Sequence, residues 1–121
     1  YTTAMPPAAA SAALAALRIV REEGWRRQRL AGLVQRLRKG LERLGLPLLP
    51  SRSPVQPLLL GDARRALEWA AGLRARGLLV PAIRPPTVPQ GSARLRITLS
   101  AVHEDADVDR LLDALAELAA A

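Results

Sequence analysis

Cysteine and phenylalanine are both absent from this 121-residue chain. Without thiols there is no disulfide framework and no thiolate metal site, which fits a cytoplasmic protein. The aromatic residues are Tyr1, Trp25 and Trp69, too few and too scattered to stack on a series of bases. Lys39 is the single lysine among 18 basic residues, all the others being arginine. There is no uninterrupted apolar run long enough to span a bilayer and no signal-peptide pattern at the start. A membrane partner is therefore not expected. His103 is the one histidine, with no Ser/His/Asp or metal-ligand constellation around it. No metal and no catalytic residue are expected within this chain.

The formal net charge of +7 invites a nucleic-acid reading. The arginines scatter along helices without aromatic partners, however. The chain is also saturated with Ala, Leu, Gly and Pro, so the charge reads as a compositional preference for Arg over Lys, with no nucleic-acid partner expected. Half of the residues are hydrophobic, enough for one core. The first residue is Tyr1, and the opening reads like mid-chain text. The expectation is a piece of a longer polypeptide.

Helix and strand signals alternate without an internal repeat. Pro6-Pro7 suits the start of a helix, where a missing amide proton costs little. An Ala-rich helix follows to about Glu23, with Leu14, Leu17 and Val20 or Arg21 along it and a break at Gly24. Its small side chains suit close approach to another element. The spacing of Leu30, Leu33, Val34, Leu37, Leu41 and Leu44 predicts a second helix over about 25–44 with one buried stripe. Gly45 ends it, and Pro47 bars continuation. A short edge strand at 48–50 and a buried strand at 56–60 come next. A third helix runs from the N-cap Asp62 to about Arg76, with Leu67, Ala70 and Ala71 as its inner stripe. Strands at 78–83 and 94–100 follow. A last helix over about 105–119 buries Val108, Leu111, Leu112, Leu115 and Leu118, with Glu104, Asp105, Asp107 and Asp109 complementing its dipole. The fold class is α+β: a small, mostly antiparallel sheet of three to four strands with helices on one face, preceded by a linking helix.

Ile83 to Leu99 carries the most chemistry. Pro85, Pro86 and Pro89 forbid ladder donation and brace a loop. That loop feeds a strand on which Leu95, Ile97 and Leu99 point one way and Arg94, Arg96 and Thr98 the other. A guanidinium on a stiff backbone suits a small carboxylate or phosphate, which it can grip with two parallel hydrogen bonds. Arg96 is the first candidate, with Arg94 and Arg84 behind it. The other use of a strand arginine is as a solvated or internally paired surface residue. Thr87, held between prolines, is a candidate substrate contact or an ordinary loop residue. Thr2 and Thr3 lie just before a helix N-terminus, where phosphate binds readily, or else serve as a cap. His103 suits a turn-capping role. Lys39, on a polar helix face, lacks the desolvation that a Schiff-base amine needs.

The run Ile83-Arg-Pro-Pro-Thr-Val-Pro with Arg94-Leu-Arg-Ile-Thr-Leu-Ser-Ala-Val-His-Glu resembles the α-oxoamine synthases, in particular their biotin-pathway branch, the 8-amino-7-oxononanoate synthases. Tyr-Thr-Thr-Ala-Met-Pro-Pro at the start, Gln56-Pro-Leu58 and Asp107-Val-Asp-Arg-Leu-Leu112 extend the likeness over essentially the whole chain. The resemblance implies the C-terminal domain of a fold-type I enzyme using pyridoxal 5′-phosphate. Residues 1–23 would be the segment and helix joining a large domain, and 24–121 the small domain. It implies condensation of L-alanine with pimeloyl-CoA or a pimeloyl carrier-protein thioester, in a cytoplasmic homodimer. By motif position Arg96 would bind the amino-acid carboxylate and Thr87 the substrate, with Arg84 near them. Thr3, with Thr2 second, would reach the cofactor phosphate of a neighbouring subunit. The family's Schiff-base lysine, ring-stacking histidine and pyridine-pairing aspartate have no counterpart here, so the chain alone should be inactive. A glycine- or serine-using relative, or a non-catalytic binding or dimerisation module, remain the alternatives.

Overall fold

A computed structural model describes residues 4–121 of the chain. The elements run α1 (Pro7–Glu22), α2 (Trp25–Arg43), β1 (Val55–Gly61), α3 (Ala63–Ala75), β2 (Ala82–Ile83), β3 (Ala93–Thr98) and α4 (Asp105–Ala120). The three strands form one antiparallel sheet in the order β1-β3-β2, which makes β3 the central strand. Its alternation is as expected. Ala93, Leu95, Ile97 and, just beyond the strand, Leu99 are buried, while Arg96 and Thr98 are exposed. Among the described residues only one face of the sheet is covered by helices, and the arginines stand on the other.

The covered face packs into a single core. Leu58 of β1 and Leu95 and Ile97 of β3 meet Leu33, Leu37 and Leu41 of α2, Trp69 and Leu73 of α3, and Val108, Leu111 and Leu115 of α4. The three-four spacing of α2 thus lands where the sequence places it, although its last member, Leu44, is at the exposed end of the stripe. Gly40 lets α4 approach α2 closely, because a Cβ there would run into the Leu112 side chain. Arg36 on α2 reaches across to Asp109 on α4 through two 2.7 Å hydrogen bonds. Arg29 donates at 3.0 Å to the carbonyls of Ala101 and His103, tying the loop after β3 to the same helix.

Three sequence expectations need correction. The inner face of α3 is Ala66, Trp69 and Leu73, whereas Leu67 and Ala71 are exposed. The stripe is one residue out of phase because Trp69 and Leu73, four residues apart and so on one face, are buried together and set the rotation. The strand expected over 78–83 pairs only at Ala82 and Ile83. Pro81 has no N–H to give to a ladder, and Leu79 is 77% exposed. The edge strand at 48–50 shrinks to a single bridge, Leu48 to Leu58, flanked by hydrogen bonds from Leu49 to Pro57 and from Leu59 to Pro47. Pro47 and Pro50 frame that segment and limit its length. The Ala-rich helix α1 buries none of its residues against the rest of the described chain.

Other local signals hold. The Asp62 side chain caps α3 by accepting from the Arg65 N–H at 2.8 Å. Glu104 and Asp107 form a reciprocal capping box at the start of α4, satisfying two otherwise orphan donors. His103 accepts the Ser100 N–H on Nδ1 at 3.0 Å, the turn-capping use open to it from the sequence.

Candidate functional site

The site is built on the uncovered face of the sheet and the loop that leads to it. Antiparallel register places Pro57 opposite Arg96 and Leu59 opposite Arg94 on one side. On the other side Ile83 opposes Arg94, and the Arg96 N–H donates to the Pro81 carbonyl at 2.9 Å. Arg96 is therefore held through its backbone at the middle of the central strand. Its side chain is exposed and makes no hydrogen bond or ion pair among the described residues. Arg94 is half-buried and turns back to donate to the Ser92 carbonyl at 3.0 Å. Of the two guanidinium groups on the strand, Arg96 is the one available to a ligand.

No Asp or Glu lies between Glu68 and Glu104, nor in β1. The ion pairs among the described residues all lie on helices or their caps. The sheet face bearing Arg96 thus supplies no carboxylate to neutralise it. A guanidinium left unpaired on a strand has its donors free for an anion brought from outside.

Thr87 is exposed in the turn after β2, its N–H donating to the Arg84 carbonyl at 3.0 Å, and the Pro85–Pro86 peptide is cis. Ala82, Ile83, Arg84, Pro85, Pro86 and Thr87 together line a small cavity at the end of β2. Arg84 is exposed and contacts the Pro85 carbonyl at 3.4 Å. Thr87 and Arg84 are thus brought together, and β2 joins their loop to the strand bearing Arg96. Thr2 and Thr3 lie outside the described residues. Lys39 is exposed on α2, so residues 4–121 offer no desolvated amine. Sequence reasoning missed Pro57 and Pro81 as neighbours of Arg96. Their placement follows from strand register, which periodicity alone does not set. Gln56 is fully buried, in keeping with its place in the expected buried strand, and it accepts from Arg38 at 2.6 Å and donates to the Ser53 carbonyl at 2.6 Å. Which partners satisfy a polar residue in such a strand is visible only once the fold is placed.

Residues 1–115 match the family model of aminotransferase class I and II. The chain belongs to that family. Among its curated relatives in the family is the 8-amino-7-oxononanoate synthase of Stutzerimonas stutzeri, 60% identical over 117 residues, which cover 97% of this chain and 30% of the relative. The enzyme of the same name from Pseudomonas aeruginosa is 59% identical, with 97% of this chain and 29% of the relative covered. Among solved family structures, serine palmitoyltransferase of Sphingomonas wittichii superposes with a TM-score of 0.88 at 30% identity, over 98% of this chain and 30% of that one. The 8-amino-7-oxononanoate synthase of Francisella tularensis gives 0.83 at 25% identity, over 97% and 34%. The chain spans about 30% of the length of the curated relatives it matches and corresponds to their C-terminal part. Its α+β fold is the C-terminal domain of fold-type I enzymes.

Proposed function

We propose that this chain is the carboxylate-binding part of a pyridoxal phosphate-dependent 8-amino-7-oxononanoate synthase, whose remaining domain completes the site. The observation that carries the reading is Arg96, unpaired on an acid-free sheet face, in a chain about 60% identical to synthases of that name. The substrates would be L-alanine and a pimeloyl thioester, on CoA or on a carrier protein. The products would be 8-amino-7-oxononanoate, CO2 and the free thiol.

The residues present fit the non-covalent side of such a site. Arg96 would grip the alanine carboxylate with two parallel N–H donors, fixing the amino acid in the plane of the guanidinium. Thr87, on its proline-braced turn, would offer a hydroxyl to the substrate, and Arg84 would add positive charge at the mouth of the cavity beside it. Thr3, with Thr2 second, would hold the cofactor phosphate of the neighbouring subunit in a homodimer. The cofactor, when bound, supplies an electron sink for the carbanion. Its attachment to lysine would come from outside this chain, since Lys39 is exposed on α2. Residues 1–23 would join this domain to the larger one, and the unburied α1 would pack there.

Replacing Arg96 by alanine in the full-length parent should raise the KM for alanine roughly 10- to 100-fold, the loss of a charge-assisted bond, while the cofactor absorbance persists. Arg96→Lys should recover only part of it, because a point charge cannot supply the paired geometry. Unchanged alanine kinetics in Arg96→Ala would overturn the role. A panel of alanine, glycine and serine on the parent separates this reading from the serine-using relatives that share the fold.

A further inference from the structure

We infer that Pro57 and Pro81 are positioning residues that keep Arg96 upright and unpaired; the inference rests on the reading of Arg96 as the carboxylate receptor. Both prolines are half-buried and flank Arg96 from its two neighbouring segments. Pro57 is its direct partner in β1. The Arg96 N–H points to the Pro81 carbonyl, and the Pro57 carbonyl accepts from Leu49 on its far side. Arg96 and Pro57 therefore form a pair without mutual backbone hydrogen bonds. Such pairs bring their Cα atoms to about 4.5 Å and their side chains closest together. Across the other gap, pairing of Ala82 with Leu95 sets Pro81 opposite Arg96.

Cross-strand partners share a face of the sheet, so each pyrrolidine ring stands beside the arginine stem. The rings combine two properties that a flexible or polar residue at these places would lack. They are rigid, with no side-chain freedom to lose, so they confine the methylenes of Arg96 without an ordering cost of their own. They also carry no polar side-chain atom. The positions on either side of Arg96 in the ladder are where a Glu, Asp or Thr could have met the guanidinium and competed with a ligand. The absence of Asp and Glu from β1 and from the whole stretch between Glu68 and Glu104 extends the same protection over the face. Neither proline touches the reacting atoms; they would act through Arg96.

The test uses the full-length holoenzyme. Alanine binding is measured by calorimetry alongside KM and kcat, with the thermal midpoint as a check on folding. Pro57→Gly, which removes the ring, should weaken alanine binding about 2- to 10-fold, the cost of ordering one freed side chain, with kcat within about twofold of the parent. Pro57→Val, which restores bulk on a strand, should recover most of the affinity. Pro57→Glu should bind alanine ~3- to 5-fold more weakly than Pro57→Gln, the size of an exposed ion pair formed with Arg96. Should Pro57→Gly prove unstable, the Glu and Gln variants at Pro57 and the same pair at Pro81 carry the comparison. Equal alanine affinity in the Glu and Gln variants, or full affinity in a folded Pro57→Gly, would overturn the inference. If Arg96→Ala itself binds alanine normally, the reading of Arg96 fails instead.

Discussion

At the scale of single residues, the charges of this chain differ in how they are met. Arg36 on α2 has a partner in Asp109 on α4, while Arg96 is left without one among the described residues. The hydrogen bond from the Arg36 guanidinium holds the Asp109 carboxyl below the usual carboxylate range, and the Asp109 partner raises Arg36 in turn. A carboxylate with a lowered folded-state pKa stabilises the fold above its unfolded pKa and loses that contribution as pH falls through the folded value. Urea midpoints of the parent and Asp109→Asn should therefore differ at neutral pH and converge as pH falls below the ordinary carboxylate range. A gap that persists undiminished into strong acid would show that the pair does not act through ionisation. The pair is solvent-exposed, so the neutral-pH difference should be small and shrink further in salt.

At the scale of elements, the helices follow from local rules and can be tested one at a time. Removing the Asp62 cap with alanine should cost about 1 kcal/mol, read as a shift in the denaturant midpoint with unchanged slope. Truncating Leu37, which is fully buried, to alanine should cost about 2–5 kcal/mol. Leu67→Ala, on the solvent side of α3, should cost well under 1 kcal/mol, and this contrast checks the corrected phase of that helix. The periodicity of α2 and α4 was legible because each has a single strong leucine stripe. On α3 the alanines blur the pattern, so only the packing of Trp69 and Leu73 into the core decides which way the helix turns. Strand lengths were legible only in β1 and β3. Where prolines interrupt the ladder, at Pro47, Pro50 and Pro81, pairing depends on which neighbour supplies the missing donor, and that is settled in three dimensions. The candidate site was half visible for the same reason. Alternation put Arg96 on the open face, but nothing in one dimension says that Pro57 and Pro81 would stand beside it.

At the scale of the whole molecule, the described residues leave two surfaces uncovered. One is the arginine-bearing side of the sheet. The other is α1, on which Leu14, Leu17, Ile19 and Val20 are 43–60% exposed, with Leu14, Leu17 and Val20 spaced along one side of the helix. If the rest of the parent covers it, the 121-residue chain expressed alone should self-associate, and Leu14→Lys with Leu17→Lys should return it toward monomer in light scattering. The same two changes in the full-length parent should instead lower its stability. Association unaffected by the lysines would move the contact elsewhere. The order β1-β3-β2 has a further consequence, one of time. A strand bonded on both sides is among the last parts of a domain to open, so its amides exchange with solvent only through near-global unfolding. The Arg96 amide, which donates to Pro81, should be among the slow-exchanging set, while those of Arg84 and Thr87 in the proline loop exchange early. The carboxylate grip would then be a permanent fixture, and whatever adjustment the site makes to admit its substrate would fall to the loop.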